Sequence, residues 1–374
     1  MNRPLDYVII GAGMFGSVFA RQVAEAGRQA LVVDRRPHIA GNCFTEQVDG
    51  VDVHRYGPHI FHTHDPHVWA FVNRFATFNR YRHRGLVRRG ERLFSFPINL
   101  ATLHQVWGVN TPLEAKRRLE AEREEISGDN LESWVIGQIG RELYELLVRG
   151  YAAKRWGRDP SELPASVIKR IPIRLTWDDS YFDDPFQGIP TDGYTRMFEN
   201  MLDHPNIRVE TNVDFFAERR ELESLAPRLV YSGKIDEFFD YRFGELDYRS
   251  LRFRTTRMTG DFQGAATVNY ADRGVPYTRI IEHKHFSMRE TERSVVTYEY
   301  PQAYQQGREA FYPVRDWRNL QLYQRYRRLA DTGTALVGGR LGSYQYLDMD
   351  EVIRQALLAA QREMESSRPA TLAA

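Results

Sequence analysis

The N-terminal segment from Asp6 to Ala26 constrains the fold more than any other part of the chain. Its apolar run YVII stops at Gly11, and the apolar residues that follow recur at the spacing of a helix. The pattern predicts a strand, a tight turn and a helix. Gly11 permits the turn, Gly13 lets a pyrophosphate approach the backbone, and Gly16 lets the helix pack closely on the strand. We expect the helix N-terminus to face the phosphates with free N–H groups.

A second predicted strand ends at Asp34, about 20 residues after the glycines, where an acidic side chain can bind the hydroxyls of an adenosine ribose. An isolated glycine motif is often only a turn, but strand, helix and acid in register predict dinucleotide binding. The loop 35–43 then contains Gly41, which stands where flavin enzymes of the glutathione-reductase type bring a second glycine loop to the isoalloxazine ring. A plain surface loop is the alternative.

Length and charge exclude several classes of protein. A chain of 374 residues is expected to form two or three structural units. Its 51 Lys and Arg balance its 50 Asp and Glu, so we expect no general attraction to nucleic acid and no membrane association through charge. The single cysteine, Cys43, excludes an internal disulfide. The lack of a long apolar run or signal peptide predicts a cytoplasmic protein without membrane insertion.

Histidines cluster between His54 and His67, but without the spacing of a zinc finger or HExxH site. We therefore expect no metal, and histidines that donate hydrogen bonds to a ring carbonyl or a phosphate. Asp65 and Pro66 predict the start of an amphipathic helix. The arginine-rich segment 81–94 predicts a hairpin with solvated arginines.

The middle of the chain changes character twice. From Thr111, a predicted N-cap, to about Gly150 the pattern is helical. The segment 150–172 then combines three prolines with two aromatics that we expect to be exposed, so it predicts mobile loops. Trp156 and Arg170 are lid candidates, although either could simply pack or pair at the surface.

The last third of the chain returns to strand patterns. Runs of period two between residues 248 and 300 predict an antiparallel sheet with one solvated face. The segment 335–342 repeats the strand that runs into a glycine turn, and Asp350 is expected to cap a final helix, 352–364. The two ends of the chain thus close the nucleotide domain.

Taken together, these segments resemble bacterial UDP-galactopyranose mutase, over all of the chain except the tail after about Met364. The matching motifs are GAGMFG (11–16), YGPHIFH (56–62), GYAAKRWG (150–157), ELP (162–164), KR (169–170), FQGIP (186–190), YRFG (241–244), PYTRIIEHK (276–284), YP (312–313), GR (339–340) and YLDMD (346–350).

The resemblance implies a mixed α/β fold with a Rossmann-like FAD-binding domain of the glutathione-reductase type, an inserted helical domain and an antiparallel β-sheet domain. The expected segments are the FAD-binding domain in three parts (1–78, 186–240 and 313–366), sheet-domain segments (79–98 and 165–185), a helical insertion with a mobile lid (99–164), the antiparallel sheet that binds substrate (241–312) and a flexible tail (367–374).

The resemblance also implies an activity. Enzymes of this family interconvert UDP-galactopyranose and UDP-galactofuranose with FAD in its reduced form. The flavin N5 attacks the anomeric carbon, UDP leaves, an iminium forms as the sugar ring opens, and the ring closes on a different hydroxyl, without net redox change. A homodimer and an unidentified reductant are expected with it.

Finally, the resemblance implies residue roles. Arg170 and Arg279 grip the diphosphate and are the catalytic candidates, while Tyr181, Tyr312 and Tyr346 donate hydrogen bonds to it. Tyr151 stacks on uracil, with Trp156 on the lid, and Phe182 and Asn269 complete the substrate site. The residues expected at the cofactor are Gly11, Gly13, Met14, Phe15, Gly16, Asp34, Arg35, Gly41, Asn42, His59, Ile60, His62, Gly339, Arg340, Tyr346, Leu347 and Asp348.

Two other functions use the same nucleotide domain. A redox flavoenzyme of the amine-oxidase type would reduce its flavin on adding substrate and would not need paired arginines. A binding module without catalysis, like the guanine-nucleotide dissociation inhibitors, could lose the flavin contacts, whereas this chain keeps both glycine turns. A fold alone cannot choose between these functions, and the site residues do.

Overall fold

A computed structural model describes residues 4–126, 128–169, 172–333 and 335–366. Within these ranges the strands are β1 (Tyr7–Ile10), β2 (Ala30–Asp34), β3 (Thr45–Val48), β4 (Val51–His54), β5 (Phe61–Thr63), β6 (Gly85–Arg89), β7 (Arg92–Phe96), β8 (Phe186–Gly188), β9 (Ile207–Thr211), β10 (Arg228–Tyr231), β11 (Tyr248–Thr259), β12 (Thr267–Tyr270), β13 (Arg279–Glu282), β14 (Arg293–Ala303), β15 (Tyr312–Pro313) and β16 (Ala335–Val337).

The helices of the same ranges are α1 (Met14–Glu25), α2 (Pro66–Asn73), α3 (Leu100–Trp107), α4 (Pro112–Glu122), α5 (Leu131–Leu143), α6 (Arg149–Trp156), α7 (Gly193–Leu202), α8 (Arg219–Ser224), α9 (Ile235–Phe238), α10 (Lys284–Ser287), α11 (Trp317–Asp331), α12 (Gly339–Gly342) and α13 (Met349–Ser366). A π-helical turn, Tyr144–Val148, joins α5 to α6. None of the helices in the described ranges is both long enough and apolar enough to cross a lipid bilayer.

A parallel sheet holds the N-terminal motif. Among the described strands its order is β16-β10-β1-β2-β9, so β1 lies at the centre and α1 returns the chain from β1 to its neighbour β2. The helix α1 packs with α7 and α13 over an apolar core, and a second core covers other residues of the same strands. The predicted mixed α/β fold with a Rossmann-like domain is therefore confirmed.

Two glycines of the first turn have the structural roles predicted for them. Gly11 has φ of 106°, in the region that side chains rarely adopt. A Cβ on Gly16 would lie 2.0 Å from the carbonyl oxygen of Gly11. Any side chain at Gly16 would therefore push α1 away from β1.

The second sheet is mostly antiparallel, in the order β15-β11-β14-β13-β12-β6-β7 for the strands described. Its exception is the parallel pair β12 and β6, which brings the predicted hairpin β6–β7 onto the sheet. The helices α3 to α6 and this sheet share an apolar core. The predicted cap at Thr111 is confirmed, because its hydroxyl accepts from the Glu114 N–H at 3.2 Å.

Two local predictions were wrong. The last helix begins at Met349, so Asp350 lies in its first turn rather than capping it, and Asp350 accepts a hydrogen bond from Thr63 at 3.0 Å. The prediction of loops over 150–172 was wrong only for 150–156, which belong to the regular helix α6. Residues 157–169 form turns and two short 3-10 helices, and Trp156 at the end of α6 is only 7 % exposed. Trp156 is therefore a packed side chain, as the alternative reading allowed. Arg170 lies outside the described residues.

Candidate active site

A cavity of about 560 Å³ lies between the second sheet, α6 and the turn before α13. This volume falls within the usual range for small-molecule sites, about 300–1,000 Å³. Many of the residues that the sequence suggested line its wall: Asn42, His59, Ile60, His62, Tyr151, Trp156, Tyr181, Phe182, Asn269, Arg279, Tyr312, Arg340, Tyr346 and Asp348.

Most of the other suggested cofactor residues lie around the glycine turns, namely Gly11, Gly13, Met14, Phe15, Gly16, Asp34, Arg35, Gly41 and Gly339. Leu347 stands apart, in the turn before α13, where its carbonyl accepts from Arg340 Nε at 3.0 Å. The side chains of Met14 and Phe15 are buried in the core, so only their backbone is available for contact with a ligand. Arg35 is exposed and pairs with Glu309 at 2.8 Å.

The space beside Gly13 in the first turn is open enough for a dinucleotide. A Cβ on Gly13 would lie 3.7 Å from its nearest neighbour, the Cα of Gly41, which is an ordinary contact distance. Packing alone therefore does not require glycine at this position, whereas an approaching pyrophosphate would. No side chain caps α1, so the N–H groups of its first turn are available to an anion. Asp34 ends β2 and accepts from the Ala12 N–H at 2.8 Å, which fixes its carboxylate beside the turn.

Arg279 is held in the cavity wall by a buried partner. It stands directly opposite Glu299 in the β13–β14 pair, and its Nε donates to the Glu299 carboxylate at 3.1 Å. Its Nη2 donates to the Tyr151 hydroxyl at 3.0 Å. Burial opposes the charged form most strongly, but the Glu299 carboxylate together with Tyr151 and Tyr312 outweighs it and raises the pKa of Arg279 above its ordinary value. The site therefore keeps a fixed positive charge.

A second arginine, Arg155, lies in the same wall on α6. Its Nη1 donates to the Tyr151 hydroxyl at 2.8 Å and its Nη2 to the Tyr346 hydroxyl at 2.7 Å. Its guanidinium stands 4.7 Å from the centre of the Tyr312 ring. Sequence reasoning missed this residue, although its place four residues after Tyr151 on a helix puts both on one face.

The tyrosines Tyr312 and Tyr346 form an aromatic wall with their ring centres 5.3 Å apart. Trp156 packs 6.3 Å from Tyr312 and 6.4 Å from Tyr346. Burial raises the pKa of Tyr312, so its hydroxyl stays protonated and can donate a hydrogen bond. The aromatic rings thus give the wall an apolar surface, and the tyrosine hydroxyl groups lie at its edge.

His59 is a neutral histidine with a defined tautomer. Its Nδ1–H donates to the Gly57 carbonyl at 2.9 Å, and burial lowers the pKa of His59 to about 4. Its backbone N–H donates to His54 Nδ1 at 3.1 Å. The Nε2 atom of His59 is therefore a hydrogen-bond acceptor at neutral pH, so the sequence-based expectation that His59 donates to a ligand was wrong.

His62 is oriented by a residue that the sequence analysis did not single out. Its Nδ1–H donates to the Asp184 carboxylate at 2.7 Å, and its ring stacks on Phe182 with centres 3.6 Å apart. Asp184 lies 122 residues from His62 along the chain, so no spacing rule connects them. Glu299 was missed for the related reason that only strand register reveals its partner.

Comparison with known proteins is consistent with this geometry. Residues 146–346 match the family model for UDP-galactopyranose mutase, and residues 9–75 match a model for an NAD(P)-binding Rossmann-like domain. A probable UDP-galactopyranose mutase of Klebsiella pneumoniae is 42 % identical, over 96 % of this chain and 95 % of the relative. A dTDP-fucopyranose mutase of Escherichia coli is 38 % identical, over 98 % and 100 %.

A solved structure shows the same fold. The crystal structure of a reduced UDP-galactopyranose mutase superposes with a TM-score of 0.77, covering 98 % of this chain and 95 % of that one, at 13 % sequence identity. At this low sequence identity the match shows only that the two proteins share a fold.

Proposed function

The chain belongs to the UDP-galactopyranose mutase family, and we therefore propose that it interconverts UDP-galactopyranose and UDP-galactofuranose. The enzyme is an isomerase, since the two sugars have the same composition and no electrons are consumed. The observation that supports this substrate best is Arg279, a charged guanidinium fixed by Glu299 in the wall of a cavity. A leaving diphosphate needs positive charge that is already in place.

We propose FAD as the cofactor, with its pyrophosphate at the turn 11–16 and its adenosine ribose at Asp34. The open face of Gly13 and the uncapped N-terminus of α1 support this placement. Bound and reduced, a flavin supplies an electron-rich nitrogen that can act as the nucleophile toward an anomeric carbon.

The residues around the cavity have roles that follow from their geometry. Arg279 stabilises the negative charge of the leaving diphosphate, and Glu299 holds Arg279 in position. The protonated hydroxyl of Tyr312 donates to a diphosphate oxygen. His59 remains neutral and presents a hydrogen-bond acceptor. Buried Trp156 keeps water from the aromatic wall.

The deciding experiment compares the two oxidation states of the enzyme. Purified protein is incubated with UDP-galactofuranose after dithionite reduction and, separately, after air oxidation, and UDP-galactopyranose is followed by chromatography. We expect conversion by the reduced enzyme alone. Equal conversion by the oxidised enzyme, or bleaching of the flavin by substrate under anaerobic conditions, would refute the mutase mechanism, and bleaching would favour a redox flavoenzyme. Binding without conversion in either state would favour a non-catalytic module.

A second substrate pair follows from the relative that acts on dTDP-fucopyranose. The same assay with dTDP-fucopyranose measures kcat/KM for that sugar nucleotide, and a higher value than for UDP-galactopyranose would assign the chain to it. A homodimer and a separate reductant remain part of the proposal. Light scattering after gel filtration tests the first, and an assay driven by cellular reductants in place of dithionite tests the second.

A further inference from the structure

We propose that Arg155, in addition to Arg279, is a cationic contact for the diphosphate of the substrate, an inference that rests on the proposed function. Arg155 stands in the cavity wall on α6, between the hydroxyls of Tyr151 and Tyr346. It is neither fully buried nor exposed, and it lines the cavity.

Arg279 and Arg155 differ in whether a carboxylate pairs directly with the guanidinium charge. Arg279 has the carboxylate of Glu299 within 3.1 Å. Arg155 forms no direct ion pair in the described part of the chain: the Glu299 carboxylate, paired with Arg279, acts on it only at longer range, and its two hydrogen-bond acceptors are neutral hydroxyls. Arginine stays charged in proteins, and a poorly solvated charge without a counter-ion is costly. A diphosphate in the cavity would supply the missing negative charge.

Tyr151 links the two guanidinium groups and points to the same ligand. Its hydroxyl oxygen accepts from Arg155 at 2.8 Å and from Arg279 at 3.0 Å. Two donors occupy the acceptor capacity of a phenol oxygen, so its single hydrogen must be given to another atom. An oxygen of a bound diphosphate is the acceptor that would complete this arrangement of two cations and one hydroxyl.

The planar guanidinium of Arg155 suits an oxyanion such as phosphate. The centre of the Tyr312 ring lies 4.7 Å from the guanidinium carbon of Arg155, and this cation–π contact restricts the orientation of the guanidinium group. The remaining N–H groups can then pair with two phosphate oxygens at once, which a lysine cannot do. Arg155 should therefore distinguish a nucleoside diphosphate from an uncharged nucleoside.

The test uses the full-length flavin-loaded protein and measures binding of UDP, dTDP and uridine by calorimetry. For Arg155→Gln we expect a roughly 10- to 100-fold higher Kd for UDP, as for one lost charged hydrogen bond or more, and an unchanged Kd for uridine. Arg155→Lys should give an intermediate UDP affinity. Arg149→Gln, which removes one charge from the other end of the same helix, is the matched control and should bind like wild type.

Thermal melting separates this role from a structural one. Because no carboxylate pairs directly with this charge in the ligand-free protein, Arg155→Gln should leave its Tm unchanged or higher, while the rise in Tm on adding UDP shrinks. A lower Tm together with equal losses of UDP and uridine affinity would overturn the inference. If Arg155→Gln does not fold, the UDP-to-uridine ratio of Arg155→Lys decides in the same way.

The two proposals fail differently. Wild-type protein that binds neither UDP nor dTDP would refute the proposed function, and the role of Arg155 with it. Wild-type protein that binds UDP and converts the sugar, with an Arg155→Gln variant of equal UDP affinity, would refute the Arg155 inference alone.

Discussion

Replacement of Arg279 tests the charged wall of the cavity most directly. In Arg279→Lys the positive charge remains, but one nitrogen replaces a fork whose Nε reaches Glu299 at 3.1 Å and whose Nη2 reaches Tyr151 at 3.0 Å. One charge-assisted hydrogen bond is therefore lost, which is worth about 1.5–3 kcal/mol. We expect kcat/KM to fall by roughly 10- to 150-fold.

Arg279→Ala should be more severe, with a loss of about 2–4 kcal/mol in transition-state stabilisation, or roughly 30- to 900-fold in kcat/KM. It also leaves Glu299, only 1 % exposed, without its ion-pair partner, with only the Thr278 hydroxyl still donating to it at 2.8 Å, and breaking a buried pair from one side costs about 3–5 kcal/mol of folding stability. The double variant Arg279→Met/Glu299→Gln removes both charges, so it should regain stability while activity stays low.

The assay measures kcat/KM of the reduced enzyme with UDP-galactofuranose, and unfolding in urea measures stability. Arg254→Lys and Arg254→Ala, at an exposed arginine of β11, are the matched controls and should leave both quantities unchanged. Near-normal turnover with unaltered UDP affinity in Arg279→Ala would refute the reasoning, because the diphosphate would then be bound elsewhere.

Two further predictions concern the cofactor turn and pH. Gly13→Val should purify without flavin, because its side chain fills the space open to a pyrophosphate. The control Gly274→Val, at an exposed turn with no atom near the added Cβ, should keep its flavin and its yellow colour. A Gly13→Val protein that retains flavin would contradict the assignment. Burial lowers the pKa of His83 and of His283 to about 3, that of His59 to about 4, and that of His54 well below its ordinary value. The unfolded chain then binds these four protons more readily than the folded one, so the contribution of these histidines to stability is complete above a pH of about 7.5 and should fall by about 5 kcal/mol between about pH 7.5 and about pH 5.5. Urea unfolding at the two pH values measures this, and an unchanged free energy would contradict it.

The sequence alone determined those features that depend on residues close together in the chain. The strand, turn and helix from β1 to α1 follow from an apolar run, glycines and helical spacing within a single segment. The cap at Thr111 depends on a residue three positions away, and the hairpin β6–β7 is set by its own turn. Local rules act over such distances, so the pattern is sufficient.

Local rules failed where tertiary contacts compete with local pattern. We expected Tyr151 and Trp156 to be exposed on loops. Instead both lie on the helix α6, which buries Trp156 against the aromatic wall. The predicted start of α13 was wrong for a similar reason, since the Asp350 carboxylate accepts a hydrogen bond from Thr63 of a distant strand. Packing energy outweighs the weak preferences of single residues at helix ends.

Only the tertiary structure decided the chemistry of the cavity. The β13–β14 register sets Arg279 opposite Glu299, and packing of α6 brings Tyr151 to Arg279 across 128 residues of sequence. The fold likewise buries His59, which makes it a neutral acceptor, and leaves Arg155 without a carboxylate partner among the described residues. Charge balance and pKa depend on distances and desolvation in three dimensions, and a linear sequence contains neither.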